Sequence, residues 1–357
     1  YVLADSHEAS LFHLKQPQLP ADGIDLSTNV PVHDGGSDDL SRTLQRLIVE
    51  GRLDALQAYA PAELEERGRV AVSLWLQQRG VHTPPSQVAL CAGAQQGVSA
   101  ALLALCEAGD PVLAEAFTAP GIKAAARQLR LPLHGVAMDE RGILPLDLDR
   151  QIRATGARVL VLTPCLQNPT GSSMDGERRQ RIAELVERHG LWLIEDDVYG
   201  ALGSQAPLAA AVPTRSLLVS SLSKTVAPGL RLGFMHGPQA LLKRIDPQGH
   251  ATSWAVSPLC LTLACEWIED GTAARKLAWQ REELQQRWRL ASRVLGARMP
   301  PGREVAPHLW LQPPDSAALV AACRAAGVEV VPADVFAVGP AQASAIRISL
   351  AAARSRA

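Results

Sequence analysis

The chain has 357 residues, of which 47% are apolar and 20% are charged, and its formal net charge is -1. Its length and apolar content allow a large core but exceed one typical domain, so we expect two unequal domains. The near-neutral charge gives no electrostatic attraction to nucleic acid or to an acidic membrane surface, which excludes a DNA-binding module within this chain.

The N-terminal segment, residues 1–50, is rich in loop-forming residues, namely Pro17, Pro20, Pro31, Gly35 and Gly36. We expect it to lie against the smaller domain rather than to form its own core. Between residues 87 and 237, apolar runs alternate with amphipathic stretches, which is typical of β-α-β units and a mostly parallel sheet. The large domain, residues 51–247, has seven predicted strands, at 88–91, 111–115, 132–138, 158–164, 191–196, 216–223 and 230–236.

Two helices between these strands have clear ends. Helix 94–107 is followed by Gly109 and helix 177–189 by Gly190, so glycine stands where a left-handed C-cap needs it. Beyond residue 247 the pattern changes to a long helical region, 258–295, and then to short strands at 308–312, 328–332 and 345–350. These elements predict a smaller α+β domain over residues 248–357.

Six cysteines are scattered without a C-x-x-C pair and without histidines at zinc-ligand spacing. We therefore predict no metal site and a reduced, cytoplasmic protein. No apolar run is long enough to span a bilayer, and the N-terminus lacks the order of a signal peptide. The chain begins at Tyr1 and its first methionine is Met138, which predicts a further segment upstream.

A lysine stands at the end of the predicted strand 216–223. Lys224 can be desolvated there, which would lower its pKa and make the neutral amine available to attack an aldehyde. Arg231 is a bidentate phosphate donor by type, and Ser221 and Ser223 offer hydroxyl groups. Taken alone, a loop lysine after a strand is the simpler interpretation.

Three further motifs lie at predicted strand ends. Asn168 opens an N-P-T-G sequence, which in isolation indicates only a turn. Asp196 and Asp197 follow a strand, where aspartate often caps a helix. Ala94 and Gln95 lie in a C-A-G-A-Q-Q-G junction between strand and helix, where free N–H groups and the helix dipole favour an anion.

Taken in order, these motifs resemble those of fold-type I aminotransferases, which bind pyridoxal 5′-phosphate (PLP). The resemblance covers essentially the whole chain. It implies that Lys224 holds PLP as a Schiff base, the internal aldimine, and that Asp196 keeps the pyridine nitrogen protonated so that the ring accepts electrons. It also implies that Asn168 and Tyr199 bind the phenolic oxygen. The phosphate would be held by Ala94, Gln95, Ser221, Ser223 and Arg231.

Three residues outside these motifs match further positions of the family. Arg347 matches the arginine that clamps a substrate α-carboxylate, and Tyr59 matches the tyrosine that reaches the phosphate of the partner subunit. Asn29 falls near the N-terminal segment that lines the substrate side. The resemblance therefore implies a homodimer with shared sites and a small amino acid or amine as ligand. Each residue also has a plainer interpretation. Arg347 could be an ion-paired strand residue, Tyr59 could serve ordinary packing, and Asn29 could only shape a turn.

Within the family, the segments T-P-C-L-Q-N-P-T-G and S-L-S-K-T-V-A-P-G-L-R are most similar to MocR-type GntR regulators. These proteins fuse a winged helix-turn-helix to an aminotransferase-like domain that senses PLP or an amine adduct. The resemblance implies an effector-sensing domain that reaches DNA only through an N-terminal domain absent from this chain. A catalytically active transaminase, with Lys224 moving the α-proton between an amino acid and a 2-oxo acid, stays open.

Several positions depart from the family pattern. Ala119 stands where the family usually carries an aromatic residue that stacks on the PLP ring, and Phe117 is the nearest candidate replacement. Ala306 and Pro307 replace a glycine pair, and the glycine common after Tyr59 is missing. These departures are expected to alter substrate binding or closure more than cofactor attachment.

Overall fold

The computed structural model describes residues 23–34, 38–253, 255–300, 304–339 and 343–353. Predictions that fall on residues 1–22 and 35–37, including Pro17, Pro20, Gly35 and Gly36, lie outside the described residues. The strands β1 to β14 are, in chain order, Ile24–Asp25, Val88–Cys91, Val112–Glu115, Leu133–Val136, Met138–Asp139, Gly142–Ile143, Val159–Leu162, Trp192–Asp196, Ser216–Ser221, Gly233–His236, His308–Leu311, Val328–Glu329, Val331–Pro332 and Ile346–Ser349.

Helices lie between most of these strands. The helices α1 to α10 are Asp39–Val49, Ala62–Gln77, Ala94–Leu105, Pro120–Gln128, Pro145–Thr155, Gly176–His189, Gln239–Ser253, Pro258–Glu269, Thr272–Leu295 and Ser316–Ala325. Within the described ranges, none of them combines the length and the apolar character needed to cross a membrane.

Seven strands form the large sheet, in the order β2-β10-β9-β8-β7-β3-β4. Strand β10 runs antiparallel to its neighbours β2 and β9, and the other adjacent pairs are parallel. The predicted mostly parallel, seven-stranded sheet is therefore confirmed. Strand β9 ends earlier than predicted because Leu222–Lys224 forms a 3-10 turn, and β10 starts later because Arg231 is left-handed, with φ of 45°.

Both faces of the large sheet are buried under helices, as expected for strands joined by helical crossovers. In β9, Leu217 and Val219 pack with residues of α3, α4 and α7, whereas Leu218 between them packs with residues of α2 and α8. This alternation follows from the two-residue period of a strand. Helices α5 and α6 cover the sheet farther along, around β3, β7 and β8.

Helix ends differ from the predictions where the backbone changes conformation. Helix α3 stops at Leu105 because Cys106 is already extended, so Gly109 does not cap it. Gly190 does close α6 in the left-handed conformation predicted, with φ of 62°. Gly271, with φ of 81°, divides the long helical region into α8 and α9. Helix α1 lies in a segment for which only loops were expected.

The C-terminal part adds a three-stranded antiparallel sheet, β11-β14-β13, and a parallel pair, β1-β12. The predicted strand 328–332 is thus two strands in different sheets. The N-terminal segment joins this part through β1 and through a hydrogen bond of 2.8 Å from the Ser349 N–H to the Leu26 carbonyl. Leu261 and Trp267 of α8, however, share a core with Phe234 of the large sheet, so the domain boundary near residue 247 stays a prediction.

Candidate functional site

Several predicted site residues meet at the carboxyl edge of the large sheet. Strand β7 leads to Asn168, β8 ends at Asp196, and β9 leads into the turn that carries Lys224. Because these strands are parallel neighbours, their carboxyl ends lie at one edge, which is where open α/β sheets bind ligands. The small sheet supplies Arg347 from β14.

The Lys224 amine is largely removed from water. Its Nζ donates a hydrogen bond of 2.5 Å to the backbone carbonyl of Asn29. Burial lowers the pKa of Lys224 to about 8, with Arg347 and Arg231 adding to the decrease and Asp196 opposing it. Near neutral pH, an appreciable fraction of this amine is therefore in the unprotonated, nucleophilic form.

The two neighbouring aspartates have different partners. The pKa of Asp196 is raised to about 6, mainly by burial and also by the charge of Asp197, while the Val198 N–H and Lys224 oppose the rise. The Asp197 carboxylate instead accepts two hydrogen bonds, of 2.9 and 3.2 Å, from the buried Arg79 guanidinium. The helix N-cap alternative is wrong, because the next helical turn, Gly200–Leu202, has Tyr199 at its N-cap position.

Arg347 is buried and held from two sides. Its Nη1 donates to Asn168 Oδ1 at 2.8 Å, its Nη2 donates to the Ser27 carbonyl, and the guanidinium lies 4.8 Å from the centre of the Phe336 ring. Burial lowers its pKa to about 10, while the Tyr199 hydroxyl opposes the decrease. The guanidinium stays charged at neutral pH and is fixed beside Asn168.

His308 belongs to this site, although the sequence analysis treated it only as part of a strand. It is fully buried at the start of β11. Its Nε2 lies 2.9 Å from the Gln167 carbonyl, and its Nδ1 lies 3.0 Å from Asn29 Nδ2. The Tyr199 ring meets it edge-on at 5.7 Å. The sequence feature that could have indicated this buried histidine is its position in the apolar run H-L-W-L.

A cationic corner lies where α3 begins. A Cβ on Gly233 would lie 2.4 Å from the Gly93 carbonyl carbon and 2.7 Å from the Ala94 nitrogen, so β10 approaches the helix start closely. The Arg231 Nη2 donates to the Ala92 carbonyl at 3.3 Å. The first N–H groups of α3 and this guanidinium therefore face the same small volume, which favours an anion such as phosphate.

The other predicted phosphate-binding residues lie in varied surroundings. Ser221 Oγ accepts a hydrogen bond from the Ser223 N–H at 3.3 Å. The Gln95 amide donates to the Gly121 carbonyl at 2.8 Å. Tyr59 lies on the surface and is 74% exposed, so its contact with a partner subunit stays a prediction.

The structure shows the surroundings of two positions that depart from the family pattern, Ala119 and Ala306. Ala119 directly precedes α4, and the Phe117 ring packs against Trp310, with ring centres 5.4 Å apart. Phe117 is part of the small-sheet core and does not replace an aromatic residue at position 119. Ala306 packs against the N-P-T-G turn, since a Cβ placed on Gly171 would lie 3.3 Å from the Cβ of Ala306.

The comparison with protein families decides the identity of this arrangement. A family model described as "Aminotransferase class I and II" matches residues 21–357. The chain belongs to this aminotransferase family. Its cofactor is pyridoxal 5′-phosphate, and the predicted resemblance to aminotransferases and to aminotransferase-like regulators is confirmed.

Relatives of this aminotransferase-family chain include both regulators and enzymes. It is 28% identical to the uncharacterized HTH-type transcriptional regulator YdeF of Bacillus subtilis, over 81% of this chain and 65% of the regulator. It is 29% identical to the regulator YisV of the same organism, over 61% and 46%. It is 32% identical to the mouse mitochondrial kynurenine/alpha-aminoadipate aminotransferase, over 56% and 55%. The chain thus spans about half to two thirds of the length of these relatives.

Solved structures of aminotransferases share the fold. An archaeal alanine:glyoxylate aminotransferase superposes with a TM-score of 0.85 at 20% identity, covering 94% of this chain and 87% of the other. A kynurenine aminotransferase of Pyrococcus horikoshii superposes with a TM-score of 0.84 at 22% identity, covering 98% and 90%. At these identities the similarity demonstrates the fold.

The residues at the sheet edge fit this cofactor. Within the described ranges, several buried polar atoms lack a partner: the Ser223 and Thr225 hydroxyls, Asn29 Oδ1 and Arg347 Nε. Buried polar groups in native proteins are nearly always paired, so a polar ligand at this edge would satisfy them. The amine of Lys224 and the cationic corner at α3 complete a donor set suited to a phosphorylated aldehyde.

Proposed function

We propose that this chain attaches PLP covalently through Lys224 and senses an amino compound, as the effector domain of a MocR/GntR-type transcription regulator. The observation that carries the proposal is the position of the Lys224 amine, which lies in the turn after β9 and donates to the buried Asn29 carbonyl; burial there lowers its pKa to about 8. A lysine that is partly neutral near physiological pH condenses readily with an aldehyde. DNA would be bound through a separate helix-turn-helix domain, as the names of the regulatory relatives suggest.

The remaining residues would hold the cofactor in one orientation. Asp196 would lie at the pyridine nitrogen, and Asn168 and Tyr199 at the phenolic oxygen. Bound PLP supplies an electrophilic carbon and a ring that accepts electrons. The phosphate would be held at the cationic corner by the backbone N–H of Ala94, by the backbone and side chain of Gln95, and by the side chains of Ser221, Ser223 and Arg231.

We further propose a homodimer in the cytoplasm. Tyr59 is exposed on its own subunit, and an exposed phenol can hydrogen-bond a phosphate held by a partner subunit. All six cysteines carry free thiols, as expected in a reducing compartment. The two active sites would then be shared between subunits.

A second candidate function is transamination. One observation favours it: the relatives include an aminotransferase that is 32% identical. Once released from the cofactor, the Lys224 amine would act as general base and then as general acid. Asn29 would line the substrate side, where its backbone carbonyl already contacts Lys224.

Turnover distinguishes the two functions. PLP-loaded protein is mixed with an amino donor, and the visible spectrum is followed before and after addition of a 2-oxo acid. The sensing function predicts a stable spectral shift without accumulation of new amino acid. Rapid multiple turnover would replace the sensing proposal with the transaminase. A promoter-reporter assay with the protein encoded by the complete reading frame then tests whether the same amino compound changes transcription.

Arg347 is expected to determine affinity for carboxylates. Replacing it with methionine should weaken binding of α-amino acids by about 10- to 100-fold, because a charge-assisted bidentate contact is lost. Binding of simple amines should change less than about 2-fold. The measurement is the spectral titration of PLP-loaded protein with an amino acid and its decarboxylated amine. Arg324→Met, which removes an exposed ion pair with Glu329, is the control; equal losses for both ligands would assign Arg347 a purely structural role.

A further inference from the structure

The proton positions on His308 follow from its hydrogen-bond partners. The Gln167 carbonyl lies 2.9 Å from Nε2 and can only accept a hydrogen bond, so Nε2 carries the proton. His308 is fully buried, and burial keeps the ring neutral by lowering its pKa to about 3. A neutral ring with its proton on Nε2 has Nδ1 as an acceptor.

The Asn29 side chain donates to this acceptor. Its Nδ2 lies 3.0 Å from His308 Nδ1, and the residue is buried. Because His308 starts β11 and is bonded on its other side to the loop after β7, one ring connects Asn29 to both of these parts of the chain. The Asn29 side chain is therefore held by residues that are distant in sequence.

The backbone of Asn29 makes the contact with Lys224. Its carbonyl accepts a hydrogen bond of 2.5 Å from the Lys224 Nζ. The N-terminal segment is also anchored at Ser27, whose carbonyl accepts from the arginine on β14, and at Val32, which bonds the Gln280 side chain. Loss of the His308 bond would therefore loosen Asn29 itself, while its neighbours on both sides stay attached.

The Asn29 carbonyl favours the protonated form of the Lys224 amine, because an ammonium group donates a stronger hydrogen bond than a neutral amine. The charged groups that face this amine are Asp196, Arg231 and Arg347. The His308 ring is neutral and adds no charge of its own. Replacing His308 therefore changes the surroundings of Lys224 mainly through the position of the Asn29 carbonyl.

Condensation of the Lys224 amine with an aldehyde removes this contact. The nitrogen forms a double bond to the aldehyde carbon, and both hydrogens of the neutral amine leave with the aldehyde oxygen as water. The neutral nitrogen then has no hydrogen left to donate to the Asn29 carbonyl. The carbonyl therefore competes with the aldehyde for Lys224.

We propose that His308 is a positioning residue that acts through Asn29: it holds the Asn29 carbonyl against the Lys224 amine and thereby slows the reaction of this amine with the cofactor aldehyde. The part that concerns PLP rests on the proposed function. His308 itself contacts neither the amine nor the cofactor in this scheme. Attachment of the cofactor removes one contact of the N-terminal segment.

The test measures the pKa of Lys224 in cofactor-free protein. The chain has five lysines, so ¹³Cε-lysine labelling gives few signals, and the Lys224 signal is the one that Lys224→Ala lacks. We expect its pH midpoint to fall by about 0.5 to 1 unit in His308→Met, because the ammonium form loses a charge-assisted hydrogen bond. His236→Met is the matched control and should leave the midpoint unchanged, because His236 is a half-buried, hydrogen-bonded histidine on β10.

Two further variants separate positioning from packing. The amide of His308→Gln can accept from Asn29 and donate to the Gln167 carbonyl, so its Lys224 midpoint should stay within about 0.3 unit of the wild type. Asn29→Ala keeps the backbone carbonyl but removes the side chain that His308 holds, and it should reproduce the fall. The double variant Asn29→Ala/His308→Met should show no additional fall, because both residues act through one hydrogen bond.

The rate of PLP attachment gives a second readout. At pH 7, about a tenth of an amine with a pKa of about 8 is unprotonated. His308→Met should therefore attach PLP about 3- to 5-fold faster, followed by visible absorbance, since a lower pKa raises this fraction. A variant that only disturbs packing would instead attach the cofactor more slowly.

The outcomes are distinguishable. An unchanged or raised Lys224 midpoint in His308→Met, a His308→Gln variant that behaves like His308→Met, additive effects in the double variant, or slower attachment each overturn the positioning role while the proposed function stands. A wild-type protein with no visible band after incubation with PLP, and no mass gain on reduction, overturns the proposed function instead. The midpoint in cofactor-free protein tests His308 in either case.

Discussion

Replacing Lys224 with alanine is expected to abolish covalent attachment of PLP. Borohydride reduction of the wild-type protein should add the mass of one reduced pyridoxyl group per chain, and the variant should show no such gain. The physical reason is that Lys224 supplies the desolvated amine at the sheet edge, with its pKa lowered to about 8. If the transaminase function holds, turnover should fall by about two to four orders of magnitude, since the general base is lost.

The fold of the Lys224→Ala variant should persist. The one hydrogen bond described for Nζ goes to the Asn29 carbonyl, and a single bond of this kind contributes about 1 kcal/mol. Lys243→Ala removes an exposed lysine on α7 and is the matched control, which should keep the mass gain. A reducible adduct retained in Lys224→Ala would place the cofactor on a different amine.

Asp196→Asn is expected to have opposite effects on cofactor binding and on stability. The variant should bind PLP more weakly, because the pyridine nitrogen loses its counter-charge. If the transaminase function holds, its turnover should also fall by about 100-fold or more. Without PLP, the variant should be more stable than the wild type above pH 6, because the buried carboxylate is no longer forced to ionise. The carboxylate that serves the cofactor thus lowers the free energy of unfolding of the cofactor-free protein.

The sign follows from the pKa of Asp196, which is raised from 3.8 to about 6. The folded state favours the protonated acid, so this group's contribution to stability is full below pH 3.8 and is lost as the pH rises through 6. Urea denaturation of cofactor-free protein at pH 4 and pH 8 should give a gain for Asp196→Asn of about 1 to 3 kcal/mol at pH 8 relative to pH 4. Asp246→Asn, on the exposed side of α7, is the control; a gain that is equal at both pH values would contradict a buried, ionised Asp196.

The large sheet could be predicted from the sequence because buried parallel strands are continuous apolar runs. Each predicted strand between residues 88 and 236 has a counterpart in the structure. The boundaries moved where backbone conformation depends on distant contacts. The left-handed Arg231, for example, lies where β10 leaves the cationic corner, and nothing in its local sequence indicates that conformation.

The candidate site could be predicted from the sequence only in part. The resemblance implied Lys224, Asp196, Asn168 and Arg347 one by one. Parallel topology accounts for the placement of the first three at one edge of the large sheet, whereas Arg347 comes from the small antiparallel sheet. Their partners could not be assigned in the same way. Arg79 binds Asp197 across 118 residues of sequence, so no local pattern predicts that Asp196 is left as the carboxylate near Lys224.

Apolar periodicity in the sequence predicted the class of fold, because it is a local property. The cofactor, and Lys224 as the lysine that would hold it, were implied by the resemblance of the strand-end motifs to those of aminotransferases. Only the tertiary structure decided the hydrogen-bond directions within the site. Asn29 and His308 are 279 residues apart, and a tautomer is fixed by which donors and acceptors surround the buried ring. That information appears only when the N-terminal segment, the loop after β7 and strand β11 are brought together.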